Sequence, residues 1–130
     1  MPMNIYHTSP CLTALAALTL AATLLSACDT DEEAQAQQML QDARIALRHR
    51  QYAEARDSIF ALRQKHPTAI DARRQGILLL DSIELQAATD SLGKAQGEEW
   101  ERLSVKKKFY ERKLQEDQKR AAQDRRNNAD

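Results

Sequence analysis

The first 27 residues of this chain contain no Asp, Glu, Lys or Arg, so all 19 acidic and all 19 basic side chains lie beyond Ala27. That split divides the chain into an apolar leader and a strongly polar body, which obey different rules. The body is rich in Ala, Gln, Leu, Arg, Lys and Glu, poor in β-branched residues and nearly free of Gly and Pro. Helix is therefore the regular structure it favours. A body of about a hundred such residues buries only a thin core, so extended helices or support from a partner are expected. The net charge is zero, without the basic imbalance typical of nucleic-acid binding, so no nucleic-acid partner is expected.

The apolar stretch from Cys11 to Ala27 is 17 residues long. That is the lower limit for a membrane-spanning helix and a better match to the core of a cleaved signal peptide. It ends in Leu25-Ser26-Ala27-Cys28, with Asp29 immediately after. Small residues before the cut suit the narrow site of a signal peptidase. This tetrapeptide resembles the lipobox of bacterial lipoproteins. The resemblance implies a signal peptide over residues 1–27, cleavage after Ala27, and acylation of Cys28, with palmitate among the groups added. One departure is the segment before the apolar core, which offers only His7 and the terminal amine where Lys or Arg is usual. Cleavage would discard Cys11 and leave Cys28 as the single cysteine, so no internal disulfide is expected. Each buried methylene contributes roughly 0.8 kcal/mol; one acyl chain holds weakly, two or three hold durably.

Asp29-Thr30-Asp31-Glu32-Glu33 follows, with four acids and no base. It resembles the surface-export signal of lipoproteins in some Gram-negative gut anaerobes. This implies a lipid-anchored protein of the outer membrane, exposed at the cell surface. The same residues suit a helix start, since Thr30 and Glu33 have the spacing of a capping box and acids favour a helix N-terminus. Residues 28–36 read as the lipidated cysteine and an acidic tether.

Residues 34–50 place Ala36, Met39, Ala43, Ala46 and Leu47 on one helical face, and Tyr52, Ala55, Ile59 and Leu62 do the same over 52–65. Only a few residues around Arg50-Gln51 separate the two helices, which predicts an antiparallel hairpin. His66-Pro67 stops the second helix, and Thr68 is placed to cap a third with Asp71 three residues on. Tyr52-Ala53-Glu54-Ala55, then Pro67 and Ala72, resembles the second helix of a tetratricopeptide repeat. There Tyr opens the helix, a small Ala sits at the crossing point and Pro closes the unit. The match covers about residues 37–70, a single degenerate unit without the usual Trp, Leu and Gly of the first helix. It implies packing through Tyr52, Ala55, Ile59, Leu62 and Pro67. The chain as a whole is also similar to small lipoproteins of those anaerobes, which share a Tyr-x-Glu-Ala run, Asp71-Ala72-Arg73-Arg74 and a segment like Lys108 to Leu114.

The third helix, about 68–92, carries Ile77, Leu78, Leu79, Leu80, Ile83 and Leu85 all round its axis, so it is expected to be covered on more than one side. The repeat-like unit thus spans residues 37–92. Gly93 and Gly97 bracket a hinge over 93–97. Residues 98–126 then form a long charged helix, followed by a tail at 127–130. Along that helix Trp100, Leu103, Lys107, Tyr110, Leu114, Asp117 and Ala121 occupy a heptad seam interrupted by two charges. The seam predicts packing against the third helix or self-association. Lys106-Lys107-Lys108 reads as a solvated face.

No catalytic or metal constellation is visible: His49 and His66 are isolated, no Gly-rich phosphate loop exists, and Ser58, Ser82, Ser91 and Ser104 lack a nucleophile elbow. No cofactor, no metal and no enzymatic activity are expected. Asp57-Ser58-Ile59, Asp81-Ser82-Ile83 and Asp90-Ser91-Leu92 resemble the O-glycosylation tripeptide of the same anaerobes, making Ser58, Ser82 and Ser91 candidate acceptors if their hydroxyls are exposed. The expected fold is all-α: an antiparallel, tetratricopeptide-like hairpin, a third helix and a long charged C-terminal helix. The expected role is a non-enzymatic protein–protein interaction module tethered to membrane lipid through Cys28. The alternative is a structural or chaperone-like envelope protein that self-associates through its last helix.

Overall fold

The computed structural model describes residues 31–129; the leader, Cys28 and Thr30 lie outside the described residues. The body is all-helical, with four helices and no strand among the described residues.

The first helix, α1, covers residues 31–48. It buries Ala36, Leu40, Ala43 and Ala46, whose spacings of four and three keep them on one face. Leu40 is the large residue at the centre of that face, with Met39 and Leu47 packed at its flanks. The sequence pattern picks out the flanking pair and misses Leu40. The helix also begins before residue 37, so residues 31–36 are not a free tether, and Ala36 is already in the core.

The turn that ends α1 contains no glycine. The Gln51 amide donates to the Ala46 carbonyl at 3.0 Å and the Arg50 amide to that of Leu47 at 2.9 Å, with Arg50 at φ 58°. This is a Schellman ending with an arginine in the left-handed position that glycine usually takes.

Helix α2, Tyr52–Lys65, buries Ala55, Ile59 and Leu62. It ends where the His66 amide donates to the Leu62 carbonyl at 2.9 Å, just ahead of Pro67. Pro67 itself is exposed, so it acts on the backbone and not on the core.

Helix α3, Ile70–Leu92, buries Ala72, Gly76, Asp81, Ile83 and Ala88. It contacts both α2 and α4, Gly97–Asn127, in keeping with an apolar pattern that runs round its axis. Residues 93–96 separate α3 from α4. Gly97, at φ 59°, opens α4 one residue earlier than expected.

Among the described residues, only Leu40, Ile59, Leu62 and Ile83 are large and fully buried. The rest of the core is mainly alanine, which lets the helices approach closely but leaves few atoms to remove from water. At Gly76 a methyl group would sit 3.6 Å from Ile59 Cγ2 and 3.9 Å from Leu40 Cδ1, ordinary van der Waals distances. Gly76→Ala is therefore expected to stabilise the protein by about 0.5–1 kcal/mol, because it restricts the unfolded chain and fills a contact. A shift of the urea midpoint to higher concentration checks this; a shift to lower concentration means the helices cannot accept the methyl.

Candidate functional site

Two polar constructions organise the body. The first joins α3 to α4. Asp81 is only 3% exposed, in a stretch that otherwise reads Ile77 to Leu85. A buried carboxylate needs a partner, and Lys113 of α4 supplies it, its Nζ lying 2.8 and 2.7 Å from the two carboxylate oxygens and 2.9 Å from Asp117. One turn along α3, Glu84 pairs with Lys106 of α4 at 2.9 Å and with Arg56 of α2. Burial pushes Asp81 above the ordinary carboxylate range, against the pull of Lys113. Burial would lower Lys113, but the bonds to Asp81 and Asp117 outweigh it and hold the ammonium above its usual range. Burial alone would raise Glu84; Lys106 and Arg56 reverse that and lower it. Lys113 also holds Asp117 low.

These pairs do what apolar packing does elsewhere, since α4 has no fully buried residue. Trp100 is 48% exposed, while Leu103, Lys107, Tyr110, Leu114, Asp117 and Ala121 are half-buried. Asp117, which interrupts the heptad seam, is thus part of the join. Lys106 pairs with Glu84 and Lys107 with Glu111, so two lysines of the run have intramolecular partners.

The second construction joins the start of α1 to the start of α3. Thr68 does not cap α3: the capping position is Ala69, without a side-chain bond. Instead Glu33 of α1 accepts the Ala72 amide at 2.8 Å, and the Thr68 hydroxyl donates to Glu32 at 2.9 Å. The cap comes from another helix, and its negative charge suits the N-terminal end of α3. His66 is buried beside it, with Nδ1 3.7 Å from Glu32 and no hydrogen-bond partner among the described residues. Glu33→Ala is expected to cost about 1 kcal/mol and Glu33→Gln less, since the amide keeps an acceptor; urea titration of both variants distinguishes the cap from a purely surface role.

At the opposite end, the Tyr52 hydroxyl donates to Asp90, which also pairs with Arg50 at 3.1 Å. The bond to Asp90 raises the Tyr52 pKa.

The pH dependence follows from these directions. Lys113 and Tyr52, raised from ordinary values of 10.5 and 10.0, contribute stability that is complete below those values and lost as pH climbs through the folded ones. Glu84 and Asp117, lowered from 4.5 and 3.8, contribute stability that is complete above those values and lost as pH falls through the folded ones. Asp81, raised from 3.8, opposes the acid loss, because its contribution is complete below 3.8 and lost as pH rises through its folded value. Thermal melts from about pH 3 to about pH 11 are expected to show a plateau near neutrality, a blunted acid fall and a steeper alkaline fall.

Among the described residues, no three His, Cys, Asp or Glu side chains are grouped to hold a metal ion, and no helix is long and apolar enough to cross a membrane. His49 is exposed and far in sequence from buried His66. Of the candidate acceptors, Ser58 and Ser82 are half-buried and donate to the carbonyls of Glu54 and Leu78, while Ser91 is exposed. Of the repeat-packing residues, Ala55, Ile59 and Leu62 are fully buried, Tyr52 is half-buried and Pro67 is exposed. Sequence reasoning passed over Asp81, Lys113 and Glu33 as partners; the signal available for Asp81 was an acid set between the apolar run Ile77–Leu80 and Ile83. No family model matches the chain, and no curated protein or solved structure matches it.

Proposed function

We propose that this chain is a bacterial lipoprotein, anchored to the outer membrane through acylated Cys28, whose helices present a non-enzymatic surface to another protein. The observation that carries this reading is the junction itself. An apolar stretch ends in Leu25-Ser26-Ala27-Cys28 and a charged helical body begins within a few residues, with α1 in place at residue 31. α1 and α2 form an antiparallel, tetratricopeptide-like hairpin in this reading. Two features support it: the short Schellman turn at Arg50, and the opposite senses in which the two helices meet α3, since α1 contacts it in order (Glu33 at Ala72, Leu40 at Gly76) and α2 in reverse (Tyr52 at Asp90, Arg56 at Glu84). The exposed Phe60 of α2, at 52%, is the apolar residue of the hairpin best placed to meet a partner.

The test is fractionation of the native cell. Wild type is expected with the membranes and Cys28→Ser, made behind a signal peptide that is cleaved without acylation, in the soluble fraction; equal partition of the two would remove the anchor. Capture of a partner from solubilised envelopes by wild type but not by Phe60→Ala would support the interaction surface, and recovery of nothing specific would count against it.

A second reading, self-association through α4, draws on Val105 and Phe109, which are 68% and 56% exposed. Sedimentation of the detergent-solubilised protein separates the two, since a strict monomer is incompatible with the second.

A further inference from the structure

An open groove of about 440 Å³ runs between the end of α2 and the start of α3, lined by Arg63, Ile70, Arg73, Arg74 and Ile77. Three cations line it and no carboxylate does. Ile70 is 64% and Ile77 41% exposed. Arg63 forms no ion pair among the described residues, Arg73 donates to the Pro67 carbonyl, and Arg74 is 3.8 Å from Asp71. Exposed isoleucines between guanidinium groups suit a boundary where phosphates meet hydrocarbon. An apolar side chain enters such a boundary while arginines hold the anions with paired donors.

The length of chain between Cys28 and α1 limits how far this groove can lie from the proposed anchor. Glu33 is bound to the Ala72 amide at 2.8 Å and Glu32 to Thr68 at 2.9 Å, so the start of α1 is fixed against the start of α3. Cys28 precedes Glu33 by five residues, which span at most about 17 Å when fully extended. Ile70 precedes Ala72 by two. Of the acids near the groove, Asp71 faces Arg74 at 3.8 Å, and Asp117 and Asp124 line an adjoining pocket with Arg74 and Ile77. Asp31, Glu32 and Glu33 are hydrogen-bonded to neutral donors and keep their charge, while Arg63 and Arg73 have no carboxylate partner among the described residues.

Resting on the lipoprotein reading, we propose that this groove is the membrane-facing surface of the protein, with Ile70 seated at the headgroup boundary and Arg63, Arg73 and Arg74 binding phosphates of anionic lipid. The cross-helix bonds of Glu32 and Glu33 then have a positioning role, since they aim the groove at the bilayer that the acyl chains enter. With the anchor already in the bilayer, the groove meets phosphate at high effective concentration, so weak individual contacts suffice to hold the body flat.

The test uses the full chain, processed in a bacterium that acylates lipoproteins and reconstituted into phosphatidylcholine vesicles with or without phosphatidylglycerol. A fluorophore is attached to Ile70→Cys or, at the far end of α3, to Ser91→Cys, and quenched from lipid chains. Quenching several-fold stronger at position 70 than at 91, increased by phosphatidylglycerol, is expected. Arg63→Glu, Arg73→Glu and Arg74→Glu together should abolish the difference, and the three lysine replacements should retain most of it, with helicity unchanged in both. Equal quenching at the two positions in protein whose mass shows acylation would overturn the membrane-facing groove and leave the anchor standing. Absence of acyl mass would overturn both. Binding of an acidic peptide by the groove, with position 70 unquenched, would overturn the lipid assignment in favour of a protein partner.

Discussion

Lys113→Met is expected to destabilise the protein by about 2–3 kcal/mol, among the largest effects of any single change on α4. The substitution leaves Asp81 buried at 3% exposure without its counter-charge. Removing one partner of a buried pair typically costs about 3–5 kcal/mol. Lys113 is itself 38% exposed, so solvent weakens the pair and places the effect at or below the lower end of that range. The double variant is the sharper test. Asp81→Leu with Lys113→Met replaces the pair by apolar atoms, and should recover stability to within about 1 kcal/mol of wild type. Urea titrations followed by helicity test both. Trp100, on the first turn of α4, should show α4 of the single variant loosening ahead of the rest, because that helix has no fully buried residue to hold it. A single variant as stable as wild type would mean that α4 is held by its half-buried apolar residues and not by this join.

Leu40→Ala is expected to cost about 3 kcal/mol, within the range for removing a fully buried leucine. Leu40 is 0% exposed, and its Cδ1 lies 3.9 Å from where a methyl group on Gly76 of α3 would sit. A core with four large buried side chains has little to spare, since a domain of this size has about 5–15 kcal/mol in total. Met39→Ala is the control. Met39 is only partly buried at the flank of the same cluster, so its removal should cost about 1 kcal/mol or less. Equal losses at the two positions would indicate that α1 is rotated relative to the packing described here.

The helical class was legible from residue types alone, because a body so rich in helix formers and so poor in Gly and Pro has no competing structure. The α2 face was legible too: Ala55, Ile59 and Leu62 are the residues that periodicity selects and the core contains. Leu40 was missed because α1 is read equally well through Met39 or through Leu40, neighbours whose faces differ by a rotation that only the partner helices decide. Thr68 was misread as a cap for a related reason. Local spacing favours a side chain close in sequence, whereas the donor at Ala72 is satisfied by Glu33 from 39 residues away. The α3–α4 join was illegible because charged residues on a helix normally mark solvent, and nothing in the order of residues says that Asp81 and Lys113 meet. Glu32 and Glu33 read as part of an acidic export signal or a helix start, and they turn out to hold two helices together.

All of these contacts organise a body whose proposed role depends on Cys28. The most direct measurement of that claim is the intact mass of the protein isolated from its native membrane. The expected chain begins at Cys28, lacks residues 1–27 and carries the added mass of two or three acyl chains. A mass that retains residues 1–27, or an unmodified Cys28, would contradict it.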